Sequence, residues 1–497
     1  MSTLRRIRSP LGAPRGRAGF VDPARRTPTL VALALPGLAL WGLLVAGCSS
    51  EPDPSAVPTS STRVLTSEEL ARSGGAATVF NDGAGAFEQP VPGLSSRDRR
   101  TFAVGNSLFN QNWVTAPSST TGRDGLGPLF NAQSCSSCHF RDGRGQPPAT
   151  LDDPVRGLLV RLSVLDEEGE PVSHPELGDQ FQDRAVQGLD PEGSVLITTT
   201  EQPGTFADGT AYSLAVPRYE LVDQSGEPVD DVLVSPRVAP PVFGVGLLEG
   251  IEGDSIVAAE DPDDADGDGI SGRAHWVTGA DGQRVLGRFG WKAAVPTVEA
   301  QNAGAFNGDI GVTSSLHPDQ PCTEAQAGCR DRPDGGNPEL SDDKLATVTF
   351  YTRTLAVPAR RQVRQPATDR GEAVFARLGC ASCHTPEQRS GPSEVTALSE
   401  QTFRPYTDLL LHDMGPALAD DRPDRDASGS EWRTPPLWGV GLVPVVNDHT
   451  RYLHDGRARN LAEAVLWHGG EAEAAQRRFT ELPAADRRAL LDFLESL

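Results

Sequence analysis

The pattern C-x-x-C-H occurs twice in this 497-residue chain, and it constrains the fold more than any other feature. The two copies comprise Cys135, Cys138 and His139, and then Cys380, Cys383 and His384. In this pattern the two thiols bond covalently to a porphyrin and the adjacent histidine binds its iron, as in c-type haem. The alternatives are a redox-active cysteine pair and a zinc site built from both pairs. The motifs predict two covalently attached c-type haems, around which the chain must fold.

The first 47 residues have the pattern of an export signal. Seven arginines and one aspartate precede or flank an apolar run at residues 30–45, which ends in Val45-Ala46-Gly47-Cys48. This ending resembles a bacterial lipoprotein box, in which the cysteine is lipidated and becomes the new N-terminus. An uncleaved transmembrane anchor is the alternative, because the run approaches the length needed to span a bilayer. We therefore expect a chain on the periplasmic side, anchored to a bacterial membrane by lipid on Cys48.

Export of the chain gives each of its cysteines a place. Of the seven cysteines, one is the predicted lipid site and four belong to the C-x-x-C-H motifs. Cys322 and Cys329 remain, and they bracket a short polar loop. A local disulfide is the default for such a pair in an exported protein.

The two motif regions look like copies of one haem domain. Phe130 and Phe375 each stand five residues before the first cysteine of a motif, residues 237–247 match residues 433–442, and residues 291–300 resemble residues 456–464. The spacing from motif to Pro-Pro pair is longer in the first copy, and the extra length holds alternating, β-branched stretches that predict strands. These stretches are residues 157–165, 194–200, 210–222 and 231–238.

The second copy has helical patterns, with a proline at one helix start. They cover residues 369–378, 461–468 and 483–497. We therefore predict a mainly α protein of two cytochrome c-like domains, the first with a β-rich insertion. The predicted divisions are a signal at residues 1–47, a flexible tether at 48–62, an N-terminal haem domain at 63–366 and a C-terminal cytochrome c domain at 367–497.

Longer motifs carry a resemblance to a known family. The LFxxxxCxxCH haem motif and the segments TPPLWGVGL, YLHDGRARNLAEA and DADGDGISGR resemble the bacterial di-haem oxidoreductases. That family is related more distantly to bacterial di-haem cytochrome c peroxidases and to the di-haem enzymes that mature methylamine dehydrogenase. The resemblance covers roughly residue 105 to the C-terminus. It implies a peroxidase-like enzyme that passes electrons from a sealed C-terminal haem to an open N-terminal haem.

The resemblance also implies the sixth ligand of the second iron. Peroxidase relatives take it from a position fourteen residues beyond the histidine of a Y-x-H-D-G segment. That histidine is His454 here, and the position is His468. Met414 is the competitor, and a buried thioether that binds no iron is its other interpretation.

The first copy offers no equivalent ligand. The position corresponding to His468 falls near residues 303–305, which are small. His174, His275 and His317 remain, each in a setting typical of a surface loop. We therefore expect the iron at His139 to be open to a small oxidant.

The resemblance also implies residues around that open iron. Gln301 and Asp309 stand near the places where peroxidase relatives have a glutamine and a glutamate, with a shift of two residues. Asp309 is the candidate for moving protons; the alternative is a loop carboxylate that caps a backbone amide. Trp291 is the candidate electron relay between the haems, with core packing as the alternative.

A calcium-like loop follows the pattern D-x-D-x-D-G at Asp264, Asp266 and Asp268. Calcium prefers such an oxygen-rich shell around a glycine-enabled turn. His275 occupies the twelfth position, so the loop is not an EF-hand, and Asp261 or Asp263 could complete the shell. The alternative is a solvated acidic turn without an ion.

The net charge of the chain limits the classes of partner that it can bind. The formal net charge of −23 argues against nucleic acid, whose phosphates require a basic face. An acidic enzyme suits a basic electron donor, such as a small cytochrome c or a cupredoxin, which it attracts electrostatically. Peroxide or another small oxidant is the expected substrate. The rival functions are a di-haem electron-transfer cytochrome without peroxidase activity, and a haem-dependent oxygenase or maturation enzyme acting on a polymer or protein.

Overall fold

The computed structural model describes residues 65–148, 157–279 and 281–497. The predicted signal, the lipid site at Cys48 and the tether lie outside these ranges and stay predictions. Within them, none of the helices combines the length and the apolar character that crossing a bilayer requires.

Twelve helices form in the described part of the chain. They are α1 (Ser67–Ala71), α2 (Ser96–Asn110), α3 (Val245–Glu249), α4 (Gly253–Val257), α5 (Val298–Ile310), α6 (Ala327–Arg330), α7 (Asp342–Arg353), α8 (Pro366–Leu378), α9 (Val443–Val446), α10 (Leu461–Leu466), α11 (Glu473–Glu481) and α12 (Ala484–Ser496). Two of them begin with a side-chain cap, because the hydroxyls of Ser95 and Thr297 accept backbone N–H groups at the starts of α2 and α5. Helix α8 begins with a proline, Pro366. The helices predicted at residues 369–378, 461–468 and 483–497 correspond to α8, α10 and α12.

The strands form several small sheets. In chain order they are β1 (Thr78–Val79), β2 (Leu129–Phe130), β3 (Leu158–Leu165), β4 (Pro171–Val172), β5 (Arg184–Ala185), β6 (Gly193–Thr205), β7 (Ala211–Asp223), β8 (Leu233–Val238), β9 (Trp276–Thr278), β10 (Arg284–Leu286), β11 (Val357–Pro358), β12 (Gln388–Arg389), β13 (Thr402–Phe403), β14 (Leu411–Asp413) and β15 (Glu431–Arg433). β4, β3 and β8 make a three-stranded sheet, and β6 and β7 make a long antiparallel hairpin. The four strands predicted in the insertion correspond to β3, β6, β7 and β8.

The mainly α prediction is wrong. The protein is only about 30% helical and about 20% strand, a mixed composition that does not match two mainly α cytochrome c domains. Strands also form outside the insertion, as in the pairs β9–β10, β12–β13 and β14–β15. The sequence shows no alternation of apolar and polar residues here, because these strands have only two or three residues each. They pair to satisfy the backbone groups of long loops.

The helices beside the two motifs pack in similar ways. α2 packs on α7 through the ring pair Phe102–Tyr351, whose centroids are 4.8 Å apart. α8 packs on α12 through Phe375 and Phe493, at 5.3 Å. Each pair belongs to one of the two largest hydrophobic cores among the described residues.

The two Pro-Pro segments contact each other reciprocally. Gly244 and Gly439 both have φ near +70°, a left-handed conformation that favours glycine. A Cβ atom on Gly244 would lie 2.5 Å from the Trp438 ring, and one on Gly439 would lie 2.5 Å from the Phe243 ring. In each of the two matched segments, the glycine therefore packs against the aromatic ring of the other segment.

Candidate functional site

Each C-x-x-C-H motif forms a short 3₁₀ turn that presents its histidine. His139 Nδ1 donates to the carbonyl oxygen of Pro240 at 2.7 Å, and His384 Nδ1 donates to that of Tyr406 at 3.0 Å. A carbonyl only accepts, so Nδ1 carries the proton and Nε2 keeps a lone pair for a metal. Burial lowers the pKa of both histidines to about 4. Both are therefore neutral near pH 7, the form that binds iron.

A phenylalanine contacts each motif histidine. The rings of Phe109 and His139 are 6.2 Å apart, and those of Phe375 and His384 are 6.4 Å apart. The sequence match of Phe130 with Phe375 is therefore wrong at this position, because Phe130 lies in β2 and Phe109 occupies the equivalent place. A correct signal was present, since Phe109 and Phe375 each follow a glycine by four residues.

His468 faces His384. Their ring centroids are 6.5 Å apart, and His468 Nδ1 donates to the Ala464 carbonyl at 2.7 Å. Two imidazoles that bind one metal ion from opposite sides, at about 2 Å each, have ring centres about 6.3 Å apart. The pair therefore fits one six-coordinate iron. Met414, the competing candidate, also lines the cavity.

One large cavity joins the two motifs. Its volume is about 1490 Å³, above the usual range of about 300–1,000 Å³ for a single small-molecule site. The cavity is lined by two buried guanidinium nitrogens that have no hydrogen-bond partner among the described residues, namely Arg237 Nη2 and Arg422 Nε. Such donors fit the carboxylates of porphyrin side chains. The cavity and its lining therefore fit two haem groups.

The two histidine sites differ on their open sides. Small residues of α5, including Gly304 and Ala305, line the cavity in the first copy. His174 and His275 do not line it: the His174 ring accepts two backbone N–H groups in a turn, and the His275 ring is fully buried against the Lys292 carbonyl. The surface-loop interpretation of His275 was wrong. His317, also interpreted as a surface residue, is exposed but lines this cavity.

Gln301 and Asp309 both line the cavity from α5. Gln301 Oε1 is buried and has no hydrogen-bond partner in the part of the chain that the structure describes. Asp309 Oδ1 accepts from Gln180 Nε2 at 3.0 Å, and burial raises the pKa of the Asp309 carboxyl above its usual value. Burial is the main reason why the pKa of the Cys135 thiol is raised, and the negative charge of Asp309 is the second. The Asp309 carboxyl therefore lies near the attachment cysteines. Asp309 can therefore hold a proton beside the first motif.

Trp291 belongs to an aromatic stack. Its ring meets the edge of His454, with 6.4 Å between centroids, and His454 stacks on Trp432 at 3.8 Å. The indole of Trp291 donates to the Val238 carbonyl at 2.8 Å. All three rings line the cavity between the motifs, so both relay and packing roles suit Trp291.

Sequence reasoning missed the groups beneath this stack. Lys292 is fully buried, its ammonium lies 4.5 Å from the centre of the Trp432 ring, and it donates to Asp420 Oδ1 at 3.1 Å. Arg144 lies over the other indole, at 5.4 Å from Trp291. Each of the two tryptophans is thus held beside a buried cation. The rarity of lysine, which occurs only twice in the chain, was the available signal.

The acidic loop departs in one respect from the predicted calcium set. Carboxylate oxygens of Asp261, Asp264 and Asp266 lie within 4.8 Å of one another, while Asp268 is outside this group and lines the large cavity. Asp264 and Asp266 accept backbone N–H groups of their own loop. Calcium binding stays a prediction, now with Asp261 in the place given to Asp268. Elsewhere, Cys322 and Cys329 are joined by a disulfide.

Comparison with known families places most of the chain in one of them. A family model described as "Di-haem oxidoreductase, putative peroxidase" matches residues 68–162 and 211–497. Residues 163–210, which include β4, β5 and β6, lie outside the match. No curated protein and no solved structure matches the chain.

Proposed function

This chain belongs to the di-haem oxidoreductase family, as its motifs predicted, and on that premise we propose that it is a peroxidase-like enzyme with two c-type haems. The observation that carries the proposal is the asymmetry of the two sites. His468 faces His384 at a separation that suits a closed iron, whereas small side chains of α5 line the cavity in the first copy. A closed site suits electron transfer, and an open site suits binding of peroxide.

The residues that would hold the groups follow from the motifs. Thioether bonds form at the cysteines, and the metal ligands are the motif histidines with His468 as the additional ligand at the second site. They comprise Cys135, Cys138 and His139 at the first site, and Cys380, Cys383, His384 and His468 at the second. When bound, the haems supply one-electron chemistry and an iron that takes up a small oxidant.

The protein contributes positioning and proton handling. The carbonyls of Pro240 and Tyr406 fix the orientation of the two motif histidines. Asp309 has a raised pKa and is the proton donor for the oxygen that departs when peroxide is cleaved. With the haems bound, the stack that contains Trp291 would provide the route for electrons from the His384 site, where an external donor would deliver them, to the His139 site.

Peroxide turnover by the purified holoprotein tests this function. We expect hydrogen peroxide to oxidise a reduced small c-type cytochrome or cupredoxin, with two electrons consumed per peroxide. The protein without peroxide is the control. If the haems accept electrons from the donor but peroxide does not reoxidise them, the chain is a di-haem electron-transfer cytochrome and the proposal fails.

Replacing Asp309 with asparagine should reduce kcat for peroxide by about 10²–10⁴-fold, the usual contribution of a positioned acid or base. The amide keeps the size of the side chain but cannot donate the proton. Asp183→Asn is a matched control, because Asp183 lines the same cavity and burial also raises its pKa. Equal losses in the two variants would assign the effect to structure and remove Asp309 from the mechanism.

The proposal extends to location. We propose that the chain is exported and held at the periplasmic side of a bacterial membrane by lipid on Cys48. Cys48→Ser should then move the protein from the membrane fraction to the soluble periplasmic fraction, as shown by immunoblotting. A variant that stays in the membrane after a high-salt wash would indicate an uncleaved transmembrane anchor instead.

A further inference from the structure

A small polar pocket lies beside the first haem site. Its volume is about 180 Å³, and its polar lining is formed by Arg161, Asp179, Gln180, Gln182, Asn307 and His317. Arg161, Asp179 and His317 also line the large cavity. Gly304 lines both as well, so the two cavities adjoin at these four residues.

Two buried amide oxygens in this pocket lack a donor. Gln180 and Gln182 are each 3% exposed, and the Oε1 atom of each has no hydrogen-bond partner among the described residues. Their orientation is fixed, because Gln180 Nε2 donates to Gly308 O and Asp309 Oδ1, and Gln182 Nε2 donates to Gly308 O. An unmade buried hydrogen bond costs about 1–3 kcal/mol. A small molecule with O–H groups, such as water or hydrogen peroxide, can donate to an amide oxygen of this kind.

His317 lies at the junction of the two cavities. A tight turn with Ser314 holds its backbone, and its ring has no hydrogen-bond partner in the described part of the chain. Its Nε2 atom lies 3.9 Å from the place a Cβ atom would take on Gly304, so it faces the small residues of α5. The ring is thus free to bond to a molecule that passes between the cavities.

Partial burial favours the neutral form of His317. Burial lowers the pKa of His317, so the ring can accept a proton near pH 7. Arg161 and Asp179, the charged groups that face the pocket, pair with each other at 3.2 Å. Asp309, behind Gln180, has a raised pKa. The pKa of His317 is lowered and that of Asp309 is raised, so His317 is suited to act as a base and Asp309 as an acid in one reaction.

The pocket does not follow from the family match. Asp179, Gln180 and Gln182 fall in residues 163–210, which the family model does not cover. Gly308 permits the close approach of this segment to α5, because a Cβ atom there would lie 3.3 Å from Gln180 Oε1. The inserted segment therefore adds a polar wall to the first site.

We propose that this pocket admits hydrogen peroxide to the first haem site and that His317 accepts its proton. The inference rests on the proposed function and adds to it a base and a route. His317 takes one proton from hydrogen peroxide as it binds, and this proton later leaves with the product. Asp309 supplies a proton to the departing oxygen when the O–O bond breaks. The proton held by His317 comes from the peroxide itself, so the reduction also takes up two electrons from the reduced donor protein and two protons from solvent, one of them through Asp309, and one peroxide yields two water molecules.

Ligand binding to the purified holoprotein tests the role of His317 without turnover. Hydrogen cyanide is neutral and must lose its proton to bind ferric haem, so we expect His317→Gln to bind cyanide roughly 10²-fold more slowly at pH 7. Carbon monoxide releases no proton, and its binding to the reduced protein should be unchanged. His174→Gln is the matched control, because that histidine lines neither cavity.

Other outcomes separate the possible failures. Wild-type cyanide kinetics in His317→Gln would overturn the role of His317 alone, and faster binding with a gain of high-spin signal would make it an iron ligand instead. A wild-type protein that binds no cyanide would contradict the open haem and so the proposed function itself. Gln182→Leu tests the route, because it should slow the binding of both cyanide and carbon monoxide. Unchanged binding rates for both ligands would exclude the pocket as their route to the haem site.

Discussion

His468→Ala should convert the haem at the His384 site from low spin to high spin in the ferric protein. The two ring centroids lie 6.5 Å apart, close to the separation of two imidazoles that share one iron, and the described part of the chain pairs His384 with no other imidazole. Removal of the ring leaves the sixth position to water. Axial ligands set haem potentials over a range of about 0.8 V, so the potential of this haem should change as well. Optical and electron paramagnetic resonance spectra measure the first effect, and a redox titration measures the second.

Met414→Leu is the matched control for this experiment. Met414 lines the same cavity and was the competing ligand in the sequence, but leucine keeps its volume without a sulfur atom. We expect this variant to keep the low-spin spectrum. If His468→Ala keeps that spectrum and Met414→Leu loses it, methionine is the ligand and the pairing with His384 has another cause.

Asp420→Ala should lower the free energy of unfolding by about 3–5 kcal/mol, because it leaves a buried charge without its partner. The side chain of Lys292 is 0% exposed and that of Asp420 is 2% exposed. The ammonium also donates to the carbonyls of Arg422 and Ser428, which hold it in place but carry no charge to balance it. Urea unfolding of the holoprotein, followed by circular dichroism, measures the loss.

An exposed ion pair provides the comparison for this variant. Asp492 pairs with Arg488 on the surface of α12, so Asp492→Ala should cost less than about 1 kcal/mol. A similarly small loss in Asp420→Ala would mean that water or another group compensates Lys292. Replacing both buried partners, Lys292→Met with Asp420→Leu, should recover most of the stability, because no unpaired charge then remains.

The features predicted well from the sequence are local. The C-x-x-C-H motifs need only adjacent residues, and the disulfide joins cysteines seven residues apart. The strands of the insertion are long enough to show alternation, as β6 and β7 do. The place of His468 followed from a fixed spacing along one chain segment; its ring centroid lies 6.5 Å from that of His384, and its role as an iron ligand stays a prediction.

The features that the sequence did not predict depend on distant segments. His317 is exposed, as its polar neighbours indicated, but its place in a pocket beside Gln180 was not predicted, because the fold brings Gln180 to it from a distant segment. Asp420 and Lys292 meet across 128 residues, a pairing that no local pattern indicates. The helical content was overestimated because short two-stranded pairings leave no periodic signal.

The central claim is that one iron site is closed and the other is open. Electron paramagnetic resonance of the ferric holoprotein, before and after addition of cyanide, tests it most directly. We predict one high-spin and one low-spin haem in equal amounts, with cyanide converting only the high-spin one. Two low-spin haems that do not change with cyanide would contradict the account.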